Sequence, residues 1–300
     1  MTILIFGASG QLGHELIRQS QLSQQTFHAP ARNQFDITQI SQVEEAFDKF
    51  CPAIAINAAA YTDVDSAESE AERAFDTNKT GAENLACNCA RRQIPLIHVS
   101  TDYVFDGSKG APYVETDPIA PLGVYGRSKA EGEDKIRAVL PEHLIVRTSW
   151  LYSDHGNNFL TTMLRLGRKN QKIDVVADQF GSPTSAADLA EVLLHLTSYV
   201  LSRSAIPWGT YHYCGEGVTT WYEFANSIFK IAGRHECLRL TRLKPITTEE
   251  FPTPAQRPMN SALDCARIKR KFDIHPKPWQ ISLRLVIEQI YRKQKNIVKK

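Results

Sequence analysis

A tyrosine and a lysine four residues apart, Tyr125 and Lys129, are the pair in this sequence best suited to acid–base chemistry. On a helix, side chains with this spacing share one face. A cation beside a buried phenol favours the phenolate and lowers the phenol's pKa from its ordinary value of about 10. The pair therefore predicts a tyrosine that exchanges a proton near neutral pH. An exposed helix with a half-buried tyrosine and a solvated lysine is the alternative.

A glycine-rich turn follows a short apolar run at the start of the chain. Residues 2–6 predict a β-strand, and Gly7, Gly10 and Gly13 lead into an amphipathic stretch at 12–19. Glycines permit a tight turn and let a pyrophosphate approach the N-terminus of the helix that follows. The spacing is G-x-x-G-x-x-G, not G-x-G-x-x-G. We interpret the turn as a dinucleotide-binding site, with a purely structural turn as the alternative.

The end of the second predicted strand, at residues 26–29, bears on the choice of nicotinamide cofactor. An acid at this place binds the adenosine ribose hydroxyl, whereas an arginine accepts a 2′-phosphate. The chain offers Arg32 and no acid before Asp36. This order favours NADPH, with Asp36 and Ile37 near the adenine, and the alternative for Arg32 is a solvated loop charge.

Strands and helices alternate through the first half of the chain. Further strands are predicted at 53–57, 96–100 and 144–147, with helical sequence at 40–50 and 66–92. This alternation predicts an α/β fold with a Rossmann-type doubly wound parallel sheet. Ligands of such sheets bind at the carboxyl ends of the strands. After residue 150 the pattern is less regular. We therefore expect a dinucleotide-binding domain at 1–150 and a smaller C-terminal substrate-binding lobe at 151–300, part of which rejoins the first sheet.

The composition and charge of the chain argue against two classes of function, nucleic-acid binding and membrane insertion. The net charge of +2 gives no reason to expect nucleic acid as a partner. No apolar run approaches the roughly 18 residues of a membrane span, and no basic leader opens the sequence. The six cysteines form no C-x-x-C pair, which favours reduced thiols over a metal site. We expect a cytoplasmic protein without a membrane or nucleic-acid partner.

Taken together, these motifs resemble the extended short-chain dehydrogenase/reductase family, and within it the branch that reduces dTDP-4-dehydro-L-rhamnose. The matching stretches lie between residues 6 and 264 and read FGASGQLG, NAAAYTDVDSAE, STDYVFDG, PLGVYGRSKAEGE, RTSWLY, NNF, DQFGSPT, TTWYEFA and PTPAQRPMNSALD. The resemblance implies a dTDP-sugar substrate, NADPH or NADH as cofactor, and dTDP-L-rhamnose as product.

The resemblance also implies roles for individual residues. Tyr125 would protonate the 4-keto oxygen, Lys129 would lower the pKa of Tyr125 and hold the nicotinamide ribose, and Thr101 would hydrogen-bond the reacting oxygen. The positions that match contacts to the sugar are Asp102, Tyr103 and Trp150, and we add Arg257 as a candidate nucleotide contact. The positions that match cofactor-binding segments are Gly10, Gln11, Leu12, Asp36, Ile37, Ala60, Tyr61 and Thr62.

Some members of the family bind magnesium through acids at a dimer interface. Glu15, Asp188 and Glu191 occupy the corresponding positions here, and the spacing of Asp188 and Glu191 puts both carboxylates on one face of a predicted helix. Three acids can bind a hard cation through oxygen and water. The resemblance thus implies Mg²⁺ and a homodimer, with solvated helix faces as the alternative.

Other relatives with the same fold offer rival functions. Sugar-nucleotide dehydratases and epimerases share Tyr-x-x-x-Lys, but dehydratases carry Thr-Asp-Glu where this chain has Thr101-Asp102-Tyr103, which argues against elimination. The non-catalytic regulatory β subunit of methionine adenosyltransferase has serine at the position of Thr101 and lacks the tryptophan corresponding to Trp150. Both residues favour an enzyme. A reductase of another nucleotide-linked 4-keto-sugar is a further alternative.

Overall fold

The computed structural model describes residues 1–21 and 25–298, with side chains through residue 295. The strands are β1 (Thr2–Phe6), β2 (Thr26–His28), β3 (Ile54–Asn57), β4 (Leu96–Thr101), β5 (His143–Thr148), β6 (Leu151–Tyr152), β7 (Lys172–Val176), β8 (Phe180–Gly181), β9 (Thr184–Ser185), β10 (Gly209–His212), β11 (Thr219–Thr220) and β12 (Arg242–Ile246). The α-helices are α1 (Gln11–Ser20), α2 (Ile40–Phe50), α3 (Val64–Ser69), α4 (Ala71–Phe75), α5 (Gly81–Arg92), α6 (Val124–Val139), α7 (Phe159–Lys169), α8 (Ala186–Ser202), α9 (Trp221–Ala232), α10 (Ala266–Phe272) and α11 (Trp279–Val298).

A six-stranded sheet in the order β10-β5-β4-β3-β1-β2 is the centre of the fold. Every pair of neighbouring strands in it is parallel. The edge strand β10 comes from the second half of the chain and pairs with β5. The strand order reverses direction beside β1, and in such sheets this point opens a crevice at the carboxyl ends of the strands. The fold is therefore the Rossmann-type doubly wound sheet predicted from the sequence.

Helices cover both faces of the sheet, and successive side chains of a strand point to opposite faces. Ile3 and Ile5 of β1 pack on one face with Leu16 of α1 and with apolar residues of α8. Leu4 and Phe6 pack on the other face, with α2, α5 and α6. The apolar run at the start of the chain thus contributes to two separate cores.

The predicted helical stretch at 66–92 is broken in the structure. Asp63 caps α3 by accepting a hydrogen bond from the Ser66 amide, and Glu70 then leaves the helical region. A π-helical turn, Asp76–Thr80, separates α4 from α5. π-Helical turns occur frequently at functional sites, and this one carries Asn78, whose contacts are described below.

The C-terminal half of the chain has a core of its own. It joins α7, α9 and α11 around large side chains that include Tyr152, Phe224 and Leu283. The strands β7 and β12 pair in parallel beside this core. Among the helices in the described part of the chain, none combines the length and apolar composition needed to cross a lipid bilayer.

Candidate active site

The glycine turn after β1 forms a close-fitting cradle at the N-terminus of α1. Gly7 has φ +92°, and a Cβ on it would lie 2.5 Å from the carbonyl carbon of Ala58. A Cβ on Gly13 would collide with the Gly7 carbonyl oxygen. Gly10 is the N-cap of α1, and no side chain caps this helix end. The arrangement fits a pyrophosphate, since the positive end of the helix and its backbone amides face the turn.

A groove leads from this turn to the end of β2. Gly7, Gly10, Arg32, Asp36 and Ile37 line it. The Arg32 guanidinium donates to the Asp36 carboxylate over 2.9 Å, and the Arg32 side chain is 66% exposed. The two residues named for the adenosine end of the cofactor are thus brought together as an ion pair at the mouth of the groove.

A larger cleft adjoins the groove and contains the tyrosine–lysine pair. Its walls include Tyr125, Lys129 and Thr101, together with Gln11, Leu12, Ala60 and Thr62. Tyr125 and Lys129 lie on α6 and Thr101 ends β4. Tyr61 is held differently, because its backbone amide donates to Asn78 over 2.9 Å and its hydroxyl donates to Glu70 over 3.2 Å.

The Lys129 ammonium lies on the floor of this cleft. The side chain is 2% exposed, and Nζ donates to the Val99 carbonyl oxygen over 2.7 Å. Nζ also lies 3.4 Å from Nε2 of the buried His98. Burial lowers the pKa of Lys129 to about 8, against the opposing effect of the Glu133 carboxylate.

The pKa of Tyr125 differs from the expected direction. Burial in the cleft raises it to about 12, a hydrogen bond with Thr101 lowers it, and the charge of Asp102 raises it. The net shift is therefore opposite to the expected lowering, because desolvation of the phenolate outweighs the favourable contacts. The phenol is protonated at neutral pH.

Asp102 and Tyr103 follow Thr101 in a 3₁₀ turn, Asp102–Val104. The Thr101 hydroxyl donates to Asp102 Oδ1 over 3.0 Å and accepts from the Tyr103 amide over 3.2 Å. Burial raises the pKa of Asp102 to about 7. The Tyr103 ring meets the Tyr125 ring edge-on, with centroids 5.7 Å apart. All three residues thus surround the phenol.

Two buried polar contacts, which the sequence analysis did not identify, hold α6 in place. Glu133, one turn after Lys129, accepts from Arg147 of β5 over 2.9 and 2.6 Å, and both side chains are buried. Asn78 donates to the Tyr61 carbonyl and to the Ser128 hydroxyl, each over 3.0 Å. The helix that carries the acid–base pair is therefore fixed both to the sheet and to the loop after β3.

A second cavity continues from the cleft towards the C-terminal half. Its walls include Arg257 and Tyr103, together with Asp65, Gln179 and Phe251. Arg257 donates to both carboxylate oxygens of Asp65, over 2.5 and 2.7 Å. Trp150 lines the cleft and stacks on Trp221, with ring centroids 3.5 Å apart.

The three acids named for a metal do not form a cluster. Glu15 accepts from Arg18 over 2.6 Å, whereas Asp188 and Glu191 both pair with Lys277, over 3.0 and 2.8 Å. In residues 1–21 and 25–298 no three His, Cys, Asp or Glu side chains are placed to hold a metal ion. Within the chain these acids do not fit a magnesium site, because lysine and arginine already neutralise them.

Several wall residues carry no assignment from the sequence. Phe159 and Trp221 line both the cleft and the second cavity, and Asn157 and Asn158 line the cleft. Asn158 caps α7 and donates to Gln11 over 2.9 Å. The stretches NNF and TTWYEFA were a signal for these positions, because each places an aromatic residue directly after a helix cap.

Comparison with known proteins identifies the family of this chain. The family model described as RmlD substrate binding domain matches residues 1–292. A dTDP-4-dehydrorhamnose reductase of Aggregatibacter actinomycetemcomitans is 43% identical over 285 residues, which cover 94% of this chain and 97% of the relative.

Solved structures of dTDP-4-dehydrorhamnose reductases are also similar. The crystal structure from Clostridium acetobutylicum has a TM-score of 0.90 and 38% identity, covering 97% of this chain and 99% of that one. The structure from Bacillus anthracis in complex with NADP has a TM-score of 0.89 and 37% identity, covering 96% and 99%. With the glycine cradle, the tyrosine–lysine pair and these matches in agreement, the chain belongs to the dTDP-4-dehydrorhamnose reductase family.

Proposed function

We propose that this reductase converts the 4-keto group of dTDP-4-dehydro-L-rhamnose into a hydroxyl, with NADPH or NADH, and releases dTDP-L-rhamnose. The observation that carries the proposal is the convergence of Tyr125, Thr101 and Lys129 in one cleft. This cleft adjoins the glycine turn on one side and a second cavity on the other. One ligand for each side, a dinucleotide and a sugar nucleotide, would meet beside the phenol.

Residues 1–150 would bind the dinucleotide. Gly7, Gly10 and the uncapped start of α1 fit its pyrophosphate, and Arg32 and Asp36 stand at the adenosine end of the groove. A reduced nicotinamide held by these residues would supply a hydride for carbon 4 of the sugar. The fixed ammonium of Lys129 would hold the ribose hydroxyls against the floor of the cleft.

Tyr125 would supply the proton. A phenol whose pKa is raised to about 12 stays protonated at neutral pH, as a general acid must before the reaction. Thr101 would turn its hydroxyl proton from Asp102 to the reacting oxygen and so orient that oxygen towards the phenol. The positive charge of Lys129 would then favour the phenolate that remains after proton transfer.

Residues from both halves of the chain would hold the sugar nucleotide. Asp102, Tyr103 and Trp150 lie around the reacting end of the cleft. Arg257 lies in the second cavity, where its guanidinium, anchored by Asp65, would face the diphosphate or the adjoining nucleoside. Arginine suits this task because its planar donors match phosphate oxygens.

The proposal is tested by following NADPH and NADH oxidation by absorbance with purified protein. We expect oxidation with dTDP-4-dehydro-L-rhamnose and little with the off-target control, dTDP-4-dehydro-D-glucose. Nucleotide binding without oxidation of either cofactor would contradict the proposal and favour a non-catalytic subunit. Faster turnover of the control sugar would show that the chain reduces a different 4-keto-sugar.

A further inference from the structure

Three aromatic residues are shared by the reaction cleft and the second cavity. Tyr103, Phe159 and Trp221 each line both spaces. A sugar nucleotide that reaches from the phenol into the second cavity must pass between them. Tyr103 already has an expected role at the sugar, whereas Trp221 has none.

The Trp221 indole is held face to face against Trp150. The ring planes differ by 7°, and Phe159 packs against Trp221 with centroids 4.6 Å apart. Trp221 is the first residue of α9, and the Thr220 side chain caps this helix by accepting from the Glu223 amide over 3.2 Å. The helix cap therefore fixes the backbone at Trp221, and two aromatic neighbours set the position of the Trp221 ring.

Trp150, the other ring of this stack, is held in a fixed position. It adopts φ 47°, a left-handed conformation that is rare for an aromatic residue, and strained conformations of this kind cluster at functional sites. Its indole donates to the Ser261 hydroxyl over 3.2 Å, and a Cβ on Gly181 would collide with the same ring. Trp150 is only 9% exposed, whereas Trp221 is half-buried. Of the stacked pair, Trp221 presents the larger free surface.

The chemistry of the substrate suits such a surface. A 6-deoxy-pyranose has an apolar face of C–H bonds and a methyl group, and a rigid indole buries such a face at little entropic cost. Hydroxyl groups and phosphates gain little from an aromatic face, whereas a nucleobase can stack on one. Trp221 lines the same cleft as Tyr125, where the sugar must lie to receive its proton, and this position favours the sugar as the ligand of the indole.

We propose that Trp221 is a substrate-binding residue that contacts the sugar beside Tyr125, with Trp150 and Ser261 as positioning residues for its ring. The inference rests on the proposed function and deepens it. Substitution of Trp221 should therefore raise the Michaelis constant for the sugar nucleotide. It should change neither the proton transfer nor the affinity for TDP.

The test compares Trp221→Ala, Trp221→Leu and Trp221→Phe in the full chain. Removing a substrate-facing indole raises KM for dTDP-4-dehydro-L-rhamnose about 10- to 100-fold, while kcat stays within about threefold. Phe restores most of the loss because it keeps an aromatic face. Inhibition by TDP, which lacks the sugar, changes less than about threefold for every variant. The matched control is Trp208→Phe, a partly buried tryptophan that packs on the core around α8 and leaves KM unchanged.

Three outcomes would overturn the inference. A wild-type KM in folded Trp221→Ala or Trp221→Leu protein removes Trp221 from the sugar site. An equal loss of TDP inhibition moves its contact to the nucleotide. A fall in thermal stability with KM unchanged leaves it a purely structural residue. Failure of the proposed function is distinct from all three, because then the unmodified protein itself does not oxidise NADPH with the sugar.

Discussion

The reaction cleft and the cavity beside it are built in different ways. The cleft takes its reacting groups from the buried face of α6 and from the end of β4, and Lys129 is 2% exposed. The cavity takes its walls from α3, α7, β7 and the irregular segment around Phe251, which is 55% exposed. Groups that transfer a proton need fixed positions, whereas an exposed irregular segment, such as the one on one side of the cavity, is where sequences vary most. We therefore expect the first region to set the chemistry and the second to set the choice of sugar nucleotide.

The largest effect is expected from Tyr125→Phe, which removes the proton donor from the cleft. Turnover should fall about 10²- to 10⁴-fold, the usual contribution of a general acid. The dissociation constant of NADPH, measured by fluorescence titration, should stay near that of the unmodified protein. Near-normal turnover would take Tyr125 out of the mechanism.

Glu133→Gln tests whether the ion pair below the cleft fixes its frame. Removing one partner of a buried pair leaves the Arg147 charge uncompensated and should cost about 3–5 kcal/mol of unfolding free energy, measured in urea. The neighbouring Asp134→Asn is the control, since Asp134 is 66% exposed and its loss should cost about 0.5 kcal/mol or less. Equal effects of the two substitutions would show that the buried pair is not part of the frame.

Asp102 should make the unfolding free energy of the protein depend on pH. Its pKa is raised to about 7 by burial, above the unfolded value of about 3.9. The folded state then holds a proton that the unfolded state has lost, so stability falls as pH rises from about 4 through 7. Asp102→Asn removes this decline and should gain up to about 4 kcal/mol over the unmodified protein at pH 8, and less at pH 5. A gain independent of pH in thermal denaturation would refute the linkage.

Arg257→Met tests the cavity and should leave the chemistry unchanged. Loss of a charge-assisted contact should raise KM for the sugar nucleotide about 10-fold, with kcat within about threefold. Arg284→Met, an exposed position on α11, serves as the control in the same steady-state assay. A fall in kcat alone would place Arg257 with the reacting groups instead.

The smallest effect is expected at the rim of the cofactor groove. Arg32→Ala should weaken NADPH about threefold to tenfold more than NADH, because the side chain is largely exposed and exposed charge contacts are weak. Dissociation constants for both dinucleotides, measured at low and high salt, give the comparison. Equal losses for both would exclude a contact between Arg32 and the 2′-phosphate.

The sequence predicts the cleft better than the cavity, and the reason is local. The glycine turn, Thr101 at a strand end and the pair on α6 all belong to regular elements with clear periodicity. The strand β12 contains Pro245 and was not predicted, because proline is rare in strands and tolerated only where no ladder bond is needed. The cavity walls come from segments far apart in sequence, and no spacing in the sequence reports that they meet.

Contacts that no sequence motif shows also explain where the structure differs from the sequence-based expectations. The pKa of Tyr125 depends on how deeply the cleft is buried, which no motif shows. Lys277 lies far along the chain from Asp188 and Glu191, yet it pairs with both. The break at Glu70 and the π-helical turn around Asn78 both lie against Tyr61 of the loop after β3, which donates to each of them.

The place of β10 at the edge of the sheet has a consequence for cutting the chain. A fragment that ends near residue 150 would lose β10 and uncover one side of β5, all six residues of which are buried. An uncovered parallel strand presents unpaired amides and carbonyls to any other chain in solution. Such a fragment should self-associate or precipitate, so a separately expressed cofactor-binding half would need the C-terminal strand supplied from elsewhere.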